Sequence, residues 1–121
     1  MQILQAQTAA ELDAVRKLFR EYQRGLSVDL CFQGFEEEPA TLPGRYAPPQ
    51  GRLLLAREGE YAAGCVALRP LQEKRACEMK RLFIRPASCG QGLGRRLAQR
   101  IISEATALDY AVMRLDTLDT L

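Results

Sequence analysis

Apolar residues recur along this chain in two rhythms, one helical and one strand-like. Residues 1–7 read as a short first strand. Leu12, Val15, Leu18, Phe19 and Tyr22 then fall at helical spacing and form one stripe. Thr8 stands ahead of the stripe as an N-cap, with Glu11 three residues on to complete a capping box. Together they predict a helix over 9–24, which Gly25 is placed to stop. Pro39, Pro43, Pro48 and Pro49 then interrupt the rhythm, so only a short helix near 35–41 is expected before residue 50. Strands follow. RLLLARE (52–58) has a continuous apolar centre, Glu58-Gly59-Glu60 is a turn, and YAAGCVALRPL (61–71) is the next strand. A polar turn at 72–76 leads to a further strand over 77–85. Short turns between these strands imply an antiparallel meander. Leu93, Leu97, Ile101, Ala105 and Leu108 mark a second long helix, 92–108, and YAVMRLD (110–116) is a strand behind it. A helical crossover makes that strand a parallel neighbour. The predicted class is therefore α/β with a mixed (α+β) sheet: a helix, an antiparallel meander, then a βαβ unit.

Composition narrows the functions open to such a domain. At 121 residues the chain has room for one domain, spanning 1–121. The 17 basic and 15 acidic residues leave a net charge of +2, which makes no case for nucleic acid. No apolar run reaches membrane-spanning length, and MQILQAQTAAELD lacks the basic start and apolar run of a signal peptide. A cytoplasmic location with no membrane partner is the expectation. The sequence has no histidine, which removes Ser-His and Cys-His nucleophile pairs. Cys31, Cys65, Cys77 and Cys89 form no CxxC pair, so neither zinc nor a disulfide is expected. Cys65 and Cys77 read as small buried strand thiols. Glu36, Glu37 and Glu38 read as a solvated helix start, with attraction of a cationic substrate as the functional alternative.

The chemistry is concentrated in residues 77–108, CEMKRLFIRPASCGQGLGRRLAQRIISEATAL. A strand ends at Ile84, a Pro-containing loop follows, and Gly90, Gly92 and Gly94 lead into the helix. Strand, glycine turn and helix N-terminus make a backbone site for a phosphorylated ligand, because free amides point at the anion and glycine admits close approach. The P-loop pattern GxxxxGK followed by Ser or Thr is absent. The dinucleotide fingerprint also fails, since neither Gly90 nor Gly92 starts a GxGxxG run and five residues separate the strand from Gly90.

In element order and in the stretch LFIRPASCGQGLGRRL, the chain resembles the GNAT acetyltransferases. The resemblance implies the GNAT-like acyl-CoA N-acyltransferase fold and acetyl-CoA as co-substrate, with no metal. It matches Cys89, Gly90, Gln91, Gly92, Leu93 and Gly94 to the family's pyrophosphate loop. Cys89 stands where Gln or Arg is typical. The amides of residues 90–95 would hold the pyrophosphate, with Arg95 or Arg96 adding a charged contact. Leu82, Phe83 and Ile84 match the strand end whose main chain pairs with pantetheine. Glu78 matches a place where family members carry a glutamate, and so becomes the candidate general base. Its plain alternative is a half-exposed strand glutamate paired with Lys80 or Arg69.

The implied reaction is transfer of acetyl to a primary amine of a small molecule or protein, by direct attack in a ternary complex. Asp29, Glu36, Glu37, Glu38 and Tyr46 fall in the acceptor region. A silent acyl-CoA-binding module or an oligomer-forming scaffold of the same fold is the alternative. The family continues beyond the last strand with a helix, often bearing a tyrosine acid, and two more strands. The sequence therefore reads as a C-terminally incomplete domain, with Tyr110 a packing residue. Its open sheet edge at 110–115 predicts either a homodimer sharing edges or poor stability.

Overall fold

The computed structural model describes residues 1–25 and 44–115. The elements are β1 (Gln2–Gln5), α1 (Ala9–Gly25), β2 (Arg52–Glu58), β3 (Tyr61–Pro70), β4 (Ala76–Ile84), α2 (Leu93–Ala107) and β5 (Val112–Leu115). Short 3-10 turns occupy Gly44–Tyr46 and Pro86–Ser88. The strands form one sheet in the order β1-β2-β3-β4-β5. The first three pairings are antiparallel and β4–β5 is parallel, as short turns and a helical crossover dictate. The mixed sheet expected from the hydrophobic pattern is thus observed. The short helix expected near 35–41 lies outside the described residues, as do Asp29, Cys31, Glu36, Glu37 and Glu38.

The capping box at α1 forms. Glu11 N–H donates to Thr8 Oγ1 at 3.1 Å, while Thr8 and Gln7 N–H each donate to Glu11 Oε1 at 3.0 Å. These bonds hold the Glu11 carboxyl below the usual carboxylate range, the Gln7 amide being the largest cause. Val15, Leu18 and Phe19 of the α1 stripe are buried against Leu53, Leu55, Cys65 and Ala67. On the other face, Leu93, Leu97, Ile101 and Ala105 of α2 pack on Leu54, Ala56, Val66 and Leu68. The continuous apolar run of β2 is explained by this double burial, because alternate residues serve opposite faces. Full burial of each such Leu or Ile contributes about 1.5–3 kcal/mol.

Two local departures from regularity shape the far half of the sheet. In the β3–β4 ladder Cys65 faces Phe83, yet Ala67 faces Lys80. β4 therefore carries an extra residue, a bulge, with Arg81 at φ 59°. The bulge resets the alternation. Cys77 and Met79 face α2; beyond the bulge Leu82 and Ile84 face α2, while Phe83 turns to α1. The Cys65 thiol donates to the Arg81 carbonyl at 3.4 Å and braces this kink.

β5 begins at Val112 instead of residue 110, because the exit from α2 takes longer than the periodicity indicates. Tyr110 N–H still donates back to Ala105 O at 3.1 Å, and Asp109 stands at φ 68°. Tyr110 is nonetheless the packing residue expected: it lies against the α2-side core and its hydroxyl donates to Gln50 O at 2.8 Å. Tyr46 is only 3% exposed and meets Phe19 edge-on at 6.3 Å. It is a core residue.

Candidate functional site

Beyond Ile84 the chain turns through Pro86–Ser88, where Ser88 N–H donates to Arg85 O at 2.9 Å and Cys89 N–H to Pro86 O at 3.2 Å. Gly90 (φ 84°) and Gly92 (φ 76°) then take left-handed conformations that a side chain rarely adopts. Gly92 is the N-cap of α2, and no side chain caps that end. The first bond into the helix is Arg96 N–H to Gly92 O at 3.1 Å. The amides of Leu93, Gly94 and Arg95 therefore have no intrahelical acceptor. A Cβ built on Gly90 or Gly92 would meet nothing within 4 Å, so this end of the helix opens outward.

The contrast with α1 is informative. The N-terminus of α1 is closed by Thr8 and by an acidic residue, Glu11, in its first turn. α2 has no acidic residue in its first turn, and Arg95 and Arg96 stand there instead. Bare amides, the positive end of the helix dipole and an adjacent cation together favour an anion. Arg96 donates to Met1 O at 3.3 Å. Arg95 is exposed and makes no ion pair among the described residues, so of the two candidate cations it is the one at liberty to meet a ligand.

The matched strand residues lead into this loop. The β4–β5 ladder runs from Ala76↔Val112 to Met79↔Leu115, whereas β4 continues to Ile84. The described β4–β5 register stops at Met79↔Leu115, and Leu82, Phe83 and Ile84 lie beyond it on β4. Phe83 packs edge-on to Tyr22 at 6.0 Å, and Ile84 is paired with Gly64 on the β3 side. Cys89 and Gln91 are exposed. The Cys89 thiol sits 3.8 Å from Ile84 O, at the mouth of the loop.

Glu78 lies elsewhere on β4, in the half still paired to β5. Six residues of strand separate it from Ile84, roughly 20 Å. Arg69, opposite it on β3, approaches a single oxygen: Nε and Nη2 each lie 2.7 Å from Oε1. The plain expectation of a paired strand glutamate is therefore met, by Arg69. The second oxygen, Oε2, has no hydrogen-bond partner among the described residues. The structure thus brings Cys89, Gly90, Gln91, Gly92, Leu93, Gly94 and Arg95 together at the end of β4, and sets Glu78 apart from them along the same strand.

Sequence reasoning missed Glu21 and Arg85. Arg85 Nη2 lies 2.6 Å from Glu21 Oε2 and its Nε 3.0 Å from Oε1. The pair spans 64 positions, so no local pattern announces it. The bulge at Arg81 was equally hidden, since Lys-Arg-Leu inside an apolar strand carries no turn residue.

Comparisons with known proteins agree with this geometry. The model of the acetyltransferase (GNAT) family matches residues 12–120. An uncharacterized N-acetyltransferase of Schizosaccharomyces pombe is 45% identical over 112 residues, which cover 92% of this chain and 69% of that protein. The crystal structure of a GNAT-family acetyltransferase from Staphylococcus aureus is similar with a TM-score of 0.82 at 15% identity, covering 99% of this chain and 75% of that one. An aminoglycoside 6'-N-acetyltransferase complexed with coenzyme A gives 0.70 at 16% identity, over 97% of this chain and 62% of that one. At such identities the structural likeness shows the shared fold.

Proposed function

The chain belongs to the acetyltransferase (GNAT) family, and we propose that it moves an acetyl group from acetyl-CoA to a primary amine by direct attack in a ternary complex. The observation that carries this reading is the uncapped N-terminus of α2 beside the end of β4, which runs on past its described pairing with β5. The amides of residues 90–95 would take the pyrophosphate, and Arg95 would add a charged contact. Main-chain groups of Leu82, Phe83 and Ile84 would pair with the pantetheine arm, meeting the need of an exposed strand edge for partners. An aminoglycoside acetyltransferase of the same fold is known complexed with coenzyme A, which supports the choice of ligand.

An extended pantetheine arm running back along β4 carries the thioester away from the loop and toward the half of the strand that holds Glu78. A role at the thioester therefore requires the separation of Glu78 from the loop. The acceptor must lose a proton before its nitrogen forms the new C–N bond and the C–S bond breaks. In this reading Glu78 would take that proton at Oε2, directly or through water, while Arg69 holds Oε1. The nitrogen sheds a second proton as the amide forms, and the leaving thiolate takes it up to end as the thiol of coenzyme A. Carbonyl polarisation falls to a main-chain amide of β4.

Calorimetric titration with acetyl-CoA tests the reading, with Gly92→Glu as the partner experiment. Saturable one-site binding is expected for the parent chain. It should be lost in the variant, where a carboxylate stands at the pyrophosphate position. In an amine screen, Glu78→Gln should keep coenzyme binding and lower transfer by about 10²-fold or more. A folded parent chain that does not bind acetyl-CoA overturns the proposal. Binding without turnover of any amine would assign the silent acyl-CoA module instead.

A further inference from the structure

We propose that the Glu21–Arg85 ion pair is the anchor that positions the glycine loop, holding α1 and the loop as one body. The effect on ligand binding rests on the coenzyme reading above; the effect on the loop itself does not.

Arg85 is the residue at which β4 becomes the loop. Its main chain is held on both sides: its N–H donates to Ala63 O at 2.9 Å, and its carbonyl accepts from Ser88 N–H at 2.9 Å. Its side chain is held as fully. Nε donates to both Glu21 oxygens, at 3.0 and 3.2 Å, and Nη2 to Oε2 at 2.6 Å. Nη1 donates to Ala62 O at 2.9 Å, and the guanidinium carbon lies 5.5 Å from the Tyr61 ring centroid. One residue thereby ties α1, the start of β3 and the root of the loop.

Among the described residues the loop beyond it has short-range hydrogen bonds of its own, from Ser88 N–H to Arg85 O, from Cys89 N–H to Pro86 O and from the Cys89 thiol to Ile84 O. Pro86 fixes one dihedral and contributes no donor. Leu93 is buried with α2 against the sheet, so the free course of the loop is residues 86–92, and its departure from the body of the domain is set largely at Arg85. A fork-to-carboxylate pair is directional, which suits it to this task in a way that a Lys would not be. The side chains are 22% and 32% exposed, so the pair is partly shielded from solvent. The Glu21 hydrogen bonds also raise the basicity of Arg85 above its ordinary value.

A direct role for Arg85 as a phosphate-binding cation is the competing account, and the two predict opposite signs. Glu21 neutralises Arg85. If Arg85 acted on the coenzyme by its charge, Glu21→Gln would release that charge and tighten binding. If the pair acts by position, Glu21→Gln loosens the loop and weakens binding.

The test uses Glu21→Gln, Arg85→Lys and a control, Glu73→Gln. Glu73 makes an equally forked pair with Arg114, at 2.9 and 2.7 Å, between the β3–β4 turn and β5. Two readouts are taken: hydrogen exchange of the bonded loop amides of Ser88 and Cys89 without ligand, and calorimetric titration with coenzyme A. Glu21→Gln and Arg85→Lys are expected to raise exchange at Ser88 and Cys89 and to weaken coenzyme A binding about tenfold, equivalent to about 1.4 kcal/mol. Glu73→Gln should change neither. Unaltered exchange at Ser88 and Cys89 in Glu21→Gln, or tighter coenzyme A binding, overturns the proposal. A folded parent chain that ignores coenzyme A defeats the coenzyme reading alone, and loop exchange then decides the anchor.

Discussion

Adding one methyl group at residue 64 tests how closely β3 and β4 are fitted at the root of the candidate site. Gly64 faces Ile84, the last residue of β4. A Cβ placed there would lie 2.7 Å from Phe83 O, 2.8 Å from Ile84 Cδ1 and 3.4 Å from Leu97 Cδ1. The two shorter distances are below any normal carbon contact. Ile84 Cδ1 ends a side chain and can rotate away. Phe83 O belongs to the main chain, and moving it means parting the strands or tilting the end of β4. Overpacking of this kind costs about 1–3 kcal/mol. For a domain of this size that corresponds to a fall in Tm of roughly 3–15 °C. Gly94→Ala is the matched control, because its Cβ would meet only Ile84 Cγ1, at an ordinary 3.7 Å. Alanine is the better helix former, so Gly94→Ala should be neutral or stabilising by up to about 1 kcal/mol. Thermal and urea unfolding of both variants decide the matter. A Gly64→Ala variant as stable as the parent would show that the two strands have slack there, and that the fit inferred from these distances is wrong.

Two further outcomes are expected. Glu11 has its folded pKa below its ordinary value near 4.5, so its contribution is full above that value and is lost as pH falls through the folded pKa; acid unfolding of Glu11→Gln should accordingly show a shallower loss of stability than the parent over that interval. Burial pushes the Cys65 thiol up to about 12 and raises Cys77 as well, whereas Cys89 is exposed; alkylation of the native protein near pH 8, read by peptide mapping, should label Cys89 and leave Cys65 and Cys77 unlabelled until the chain unfolds.

Much of the fold was legible because its signals are local. Thr8 and Glu11 lie within one turn and satisfy each other wherever the rest of the chain goes. Leu93, Leu97, Ile101 and Ala105 announce α2 by spacing alone, and all are buried on one face as that spacing requires. Gly90 and Gly92 announced a special turn, and both stand at positive φ. What was not legible depends on two segments meeting. The bulge at Arg81 exists because Cys65 and Ala67 face residues one step out of register, and nothing in residues 80–82 calls for it. The β5 boundary shifted because Tyr110 remains bonded to Ala105, a preference of the helix exit that an apolar run does not record.

The same reasoning applies to the candidate site. A strand whose neighbour ends early leaves main-chain groups without partners, and a helix whose first turn is uncapped does the same. Either is costly when sealed inside a protein. Here β4 outlasts its described pairing with β5 after Met79, and α2 starts at an uncapped Gly92 a few residues later. The bulge at Arg81 keeps Leu82 and Ile84 facing α2, so the strand end and the uncapped helix end lie in the same cluster. Among the described residues, the stretch of β4 beyond its pairing with β5 thus leads directly to the glycine loop. A ligand with an anionic end and an amide-bearing arm would meet both at once, which is the physical argument for proposing coenzyme A here rather than a free phosphate at the helix alone.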